Sequence, residues 1–65
     1  MDKRQENIVI KVEETNTGFS SYAVNYAIYS TGKTFPDLIN NFLEAANLYF
    51  DEVDYYVNEK SLIIS

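Results

Sequence analysis

Between Ile8 and Val53 the apolar positions change spacing once, from alternate residues to a helical repeat, and the change falls at Thr31-Gly32-Lys33-Thr34. Ile8, Ile10 and Val12 alternate with Val9, Lys11 and Glu13, which predicts a strand over residues 8–14. Thr15-Asn16-Thr17-Gly18 follows, and Asn and Gly tolerate the backbone conformations a hairpin turn requires. From Phe19 to Tyr29 the residues Tyr22, Val24, Tyr26 and Ile28 alternate with Ser21, Ala23, Asn25 and Ala27, giving one bulky face and one small or polar face. That run is long for one strand. A bend near Asn25 to Ala27 is expected to split it into two antiparallel strands, although no Gly or Pro marks the break.

After the change, Phe35, Leu38, Ile39, Phe42, Leu43, Ala46, Tyr49, Phe50 and Val53 share one helical face, predicting a helix from Phe35 to about Glu52 that frays toward Tyr56. Thr34 is positioned as its N-cap, with Asp37 three residues on as in a capping box, and Pro36 falls in the first turn, where its missing donor costs nothing. Ser61 to Ser65 reads as a last short strand. The expected class is α+β: two layers, an antiparallel sheet with one helix packed on it, in the order β-β-β-α-β. Residues 1–7 read as a flexible polar lead-in and residues 8–65 as a single domain. Because the chain stops on Leu62-Ile63-Ile64-Ser65, an apolar strand without a polar tail, more polypeptide is expected downstream.

Composition sharpens this picture. A chain of 65 residues has room for one small core near the lower size limit for independent folding, so self-association, most simply a homodimer, is expected. Six Tyr and four Phe supply burial that a disordered tail would lack. The net charge of -5 argues against direct nucleic-acid binding, which draws on clustered Lys and Arg, and favours a basic protein partner. Lys3-Arg4 reads as a solubilising terminus. There is no Cys and hence no disulfide framework, and no apolar run reaches the ~18 residues of a membrane span. With no signal peptide recognisable, the cytoplasm is the expected compartment.

The candidate chemistry is sparse. With no His and no Cys, the chain lacks an imidazole base and the usual zinc ligands, and nothing in the spacing of Lys33 or Lys60 supports a Ser-Lys pair. Gly32-Lys33-Thr34 resembles the end of a phosphate-binding loop, but that motif would need glycine at position 27, which is Ala27, so it reads as a turn and helix cap. Asp37, Glu44 and Asp51 recur every seven residues opposite the apolar stripe, too far apart along a helix to share one ion. Asp51 and Asp54 are closer, as acids of a solvated helix end. Leu48 interrupts the outer face formed with Asn40, Asn41 and Asn47, as a partner-facing apolar residue would. Asp37, Glu44, Leu48 and Asp51 are therefore the candidate partner-binding residues; no catalytic, metal-binding or cofactor-binding residue is assigned. Tyr29, Tyr49, Tyr55 and Tyr56 suit either an interface or cover for the sheet.

Glu13-Glu14-Thr15-Asn16-Thr17-Gly18-Phe19-Ser20-Ser21-Tyr22-Ala23, then Tyr29-Ser30-Thr31-Gly32-Lys33-Thr34, then Asn41-Phe42-Leu43-Glu44-Ala45-Ala46 within the helix, together resemble the N-terminal domain of the HicB family of bacterial antitoxins over residues 8–52. The resemblance implies a β-β-β-α-β layer related to a reduced ribonuclease H or double-stranded-RNA-binding sheet. It also implies a domain that covers the active surface of a small basic HicA-like ribonuclease toxin, with operator binding by a separate C-terminal module beyond these residues. Two positions depart from the family: Asn25-Tyr26-Ala27-Ile28 stands where a Pro-Gly turn is common, and Lys33 stands where the turn is usually acidic.

Three functions follow as expectations. The first is a non-catalytic, antitoxin-like module that meets a basic toxin through its acidic helix face or a sheet edge. The second is a homo-oligomerisation domain of a larger protein with no toxin partner. The third, a hydrolase related to ribonuclease H, would need carboxylates clustered on adjacent strands, whereas the chain offers Glu13 and Glu14 on one strand and no acid from Phe19 to Phe35.

Overall fold

The computed structural model describes residues 4–53 and 55–65. The expected features at Lys3 and Asp54 lie outside the described residues. The elements are β1 (Arg4–Gln5), β2 (Ile8–Thr15), β3 (Gly18–Ala23), β4 (Tyr29–Gly32), α1 (Phe35–Tyr49), β5 (Tyr55–Tyr56), a 3-10 turn (Glu59–Ser61) and β6 (Leu62–Ile64). Four strands form the main sheet in the order β4-β3-β2-β6, and α1 lies across one face of it, chiefly over β4 and β3. Among the described residues no helix is long and apolar enough to cross a membrane.

The hairpin forms where expected, with Thr15 paired to Gly18, and the following run breaks at Val24 to Ala27. That break has a consequence for the alternation. Ala23 N–H donates to Ile28 C=O at 3.0 Å, and Tyr22 pairs with Tyr29, so the four-residue loop shifts the phase of the pleat. Ser21 and Ala23 face the helix before the loop, Ile28 and Ser30 after it, while Tyr22, Val24 and Tyr29 turn outward. The bulky set that looks continuous in the sequence is thus divided between the two faces.

Small residues on the inner face let the helix approach closely. Ser21 and Ser30 are buried opposite each other, their hydroxyls 3.1 Å apart, and Ser30 Oγ donates to Leu38 C=O at 3.3 Å. Since Ser30 spends its proton on the helix, Ser21 Oγ donates to Ser30, and both buried hydroxyls are satisfied. Around them Ile8, Ile10, Ala23, Ile28, Phe42, Ala46, Phe50 and Val57 form the core.

Thr34 caps α1 as expected, accepting from Asp37 N–H at 3.2 Å, with Pro36 in the first turn. The other end differs from expectation. The helix stops at Tyr49 rather than Glu52, because Phe50 turns back into the core and Asp51 to Val53 form a turn. Phe50 is the hub of an aromatic cluster whose rings lie edge-on, with centroids 5.1 Å from Tyr26 and Tyr49 and 5.7 Å from Tyr55. Val53, Tyr49 and Phe35, placed on the apolar stripe by spacing, are substantially exposed at or beyond the ends of the helix.

Two further corrections concern topology. The sheet is mixed rather than antiparallel: β6 pairs with β2 in parallel, Ile8 opposite Leu62 and Ile10 opposite Ile64. β2 and β4 each lie antiparallel to β3 and so point the same way; α1 carries the chain back, and β6, the next strand of the main sheet, again runs with β2. It also begins at Leu62, because Asn58 caps the turn over Glu59 to Ser61. In addition, Arg4–Gln5, expected within a flexible lead-in, form β1 and pair in parallel with Tyr55–Tyr56.

Glu6 extends this tie. Its N–H donates to Tyr56 C=O at 3.0 Å, and its Oε2 accepts from Tyr26 Oη at 3.0 Å. That hydrogen bond, with desolvation and the negative charge of Glu6 behind it, raises the Tyr26 phenol above its ordinary range. A raised acid holds its proton more tightly in the folded chain, so its contribution is complete below the unfolded tyrosine value of about 10 and is lost as pH rises through the higher folded value. Tyr26→Phe is expected to lower Tm at neutral pH and to reduce the further fall in alkali, as circular-dichroism melts at neutral and strongly alkaline pH would show.

Candidate partner-binding surface

Residues Asp37, Asn41, Glu44 and Leu48 follow one another at spacings of three or four and form a ridge along the β4 side of α1. Asn41 joins the ridge to the sheet: its Nδ2 donates to Thr31 C=O at 2.8 Å, occupying an acceptor on β4, the edge strand. Glu44 and Leu48 then line a groove of about 360 Å³ with Tyr29, Thr31 and Ala45. It shares Tyr29, Thr31 and Asn41 with a broader concavity of about 860 Å³, which runs past Lys33 and Asp37 to the hairpin at Thr15 and Thr17. Two adjoining concavities thus lie along the junction of helix and edge strand.

Among the apolar residues that line them, Leu48 and Tyr29 are also the most exposed large hydrophobic residues of those described, at 70% and 64%. Glu44 and Asp37 add negative charge on the helix side, and Lys33 the positive charge at the loop. An apolar pair on an acidic rim is suited to a partner that brings an apolar anchor ringed by basic groups.

The four residues selected by spacing are all exposed, and the structure brings Glu44 and Leu48 into one groove, with Asp37 in the adjoining concavity. Asp51 is different. Its seven-residue spacing from Glu44 predicts a place on the helix, but it lies in the turn after it, its N–H donating to Leu48 C=O at 3.3 Å. The asparagines expected on the same outer face are divided as well. Asn47 Nδ2 donates to Val57 C=O at 3.0 Å, and its Oδ1 accepts from Val57 N–H at 3.0 Å. This side chain pairs with a backbone as a strand would, and holds the returning segment against the helix on the side away from β4.

Tyr29 is the residue that spacing did not single out for this groove. Its outward direction depends on the phase shift across residues 24–27, which has no local sequence signal. Glu13 faces the outer side of the sheet opposite Ser20 and Glu14 the inner side opposite Phe19, so the two do not converge. Among the described residues no three acidic, His or Cys groups are placed to share a metal ion. No protein-family model matches the chain, and no curated protein and no solved structure is similar to it at a significant level.

Proposed function

We propose that this domain is a non-catalytic protein-binding module of HicB-like antitoxin type, which neutralises a small basic ribonuclease by occupying its active surface. One observation carries the binding reading: Leu48 and Tyr29, the two most exposed large hydrophobic residues described, both line one groove with Glu44. The net charge of -5 supports a basic partner, and the order of hairpin, turn and helix motifs supports the antitoxin type. In this reading the partner owns the catalytic groups. Leu48 and Tyr29 anchor it, and Asp37, Glu44 and Asp51 steer it.

The test is co-expression, and then calorimetric titration, with the product of the neighbouring reading frame. Leu48→Ala is expected to weaken binding by at least tenfold, or about 1.4 kcal/mol, at unchanged Tm. Glu44→Lys is expected to slow association and flatten its salt dependence. Failure of the natural chain to bind or protect, or binding by both variants as tight and as fast as the natural chain's, would remove the proposal.

A further inference from the structure

The two edges of the main sheet are unequal. On β4 the side chain of Asn41 takes the Thr31 carbonyl, whereas β6 carries no charged or proline residue that would discourage strand addition. Ser65 N–H donates inward to Ile10 C=O at 2.9 Å, so by alternation Ile64 directs its N–H and C=O, and Leu62 its C=O, to the free side of β6. Leu62 N–H is already satisfied by Glu59 C=O. Beside this edge Phe35, Pro36, Ile39, Leu62 and Ile64 line an apolar groove of about 360 Å³, and Ile64 is 52% exposed.

We infer that β6 is a homodimerisation edge, at which a second copy adds its own β6 antiparallel across a two-fold axis. The register follows from the outward groups. In the register centred on the strand, Leu62 stands opposite the partner copy's Ile64 and Ile64 opposite its Leu62, with the two Ile63 side chains meeting at the axis. Each Ile64 N–H then donates to a Leu62 C=O, and the donor left out of the ladder, Leu62 N–H, is the one its own turn already satisfies. The segment is therefore complementary to itself, as an isologous interface requires.

Charge favours a second copy over a basic peptide at this place. The groove's one charged lining residue is Glu59, which Lys60 follows directly, whereas Asp37 and Glu44 lie on the opposite flank of α1, beside β4. Two copies can meet without bringing their acidic ridges together, and a basic ligand finds no net attraction. The sheet becomes eight strands, both helices stay on one face, and the Leu48 groove remains free. The dimer thus stands independently of the proposed partner. Three-residue strands form a small interface, under about 1,200 Å² in total, which corresponds to a weak, concentration-dependent dimer.

Sedimentation equilibrium of the full chain, from low micromolar to near-millimolar concentration, tests this. The natural chain is expected to reach twice the monomer mass. Ile64→Lys and, separately, Ile63→Lys are expected to raise the dissociation constant at least tenfold, while Leu48→Glu leaves it unchanged; circular dichroism shows that each variant is folded. A natural chain that stays monomeric throughout, or a dimer that survives both β6 substitutions and is lost with Leu48→Glu, would overturn the inference. So would a monomer whose β6 amide resonances move only when an unrelated extended peptide is added.

Discussion

Replacing Gly32 with alanine is expected to lower Tm by about 12–25 °C, which corresponds to a loss of roughly 3 kcal/mol in a domain of this size. A β-carbon at this position would lie 2.4 Å from Leu38 N and 2.7 Å from Leu38 Cα. Both are backbone atoms in the first turn of α1, so no side-chain rotation relieves the overlap. The helix would have to lift from β4. Lifting it would strain the Ser30 Oγ to Leu38 C=O bond and the Asn41 Nδ2 to Thr31 C=O bond, at 3.3 and 2.8 Å, which tie these elements together. Overpacking commonly costs about 1–3 kcal/mol, and a clash with backbone belongs at the upper end. Lys33→Ala, at the exposed neighbour, is the control and is expected to stay within about 0.5 kcal/mol. Thermal melts of both variants decide the matter: a Gly32→Ala chain that melts within a few degrees of the natural one would show that the helix does not sit this close.

Phe42→Ala is expected to cost about 3–5 kcal/mol, enough to unfold much of the population of so small a domain. Phe42 is 0% exposed and is the largest of the fully buried side chains described. It belongs to the cluster that joins Ile8 and Ile10 of β2 to Ala46 on the helix and Phe50 just after it. Truncation removes transfer free energy and leaves a cavity that the surrounding sheet cannot close, since its strands are held by their ladders. Val53 makes the comparison informative. It sits on the same apolar stripe in the sequence but is 45% exposed, and Val53→Ala is expected to change stability by no more than about 0.5 kcal/mol. Denaturant unfolding of the two variants should separate them by several kcal/mol; equal effects would contradict the placement of Phe42 at the centre of the core.

The contrast between these two residues shows where periodicity stops being informative. A helical repeat says which residues share a face, but the helix ends where Phe50 is drawn into a cluster with Tyr49, Tyr55 and the distant Tyr26, which comes from the loop before β4. The candidate surface divides in the same way. Asp37, Glu44 and Leu48 could be read from their spacing, because an exposed ridge is a property of the helix alone. Tyr29, which completes the groove, could be read only as one of four tyrosines suited to an interface or to sheet cover, since its direction depends on the loop at residues 24–27.

Local chemistry was enough for the hairpin at Thr15 to Gly18, the Thr34 cap, the start of α1 and the one-helix α+β class, since each depends on residues within a few positions of one another. Only the tertiary structure decided that β6 runs parallel to β2, that Arg4–Gln5 pair with Tyr55–Tyr56, and that the small face of β3 is the buried one. Gly32 shows the reason most directly. In the sequence it reads as a turn residue, valued for backbone freedom, yet it has no positive φ; what the fold requires is the missing β-carbon, because a helix that begins three residues later returns to lie against it.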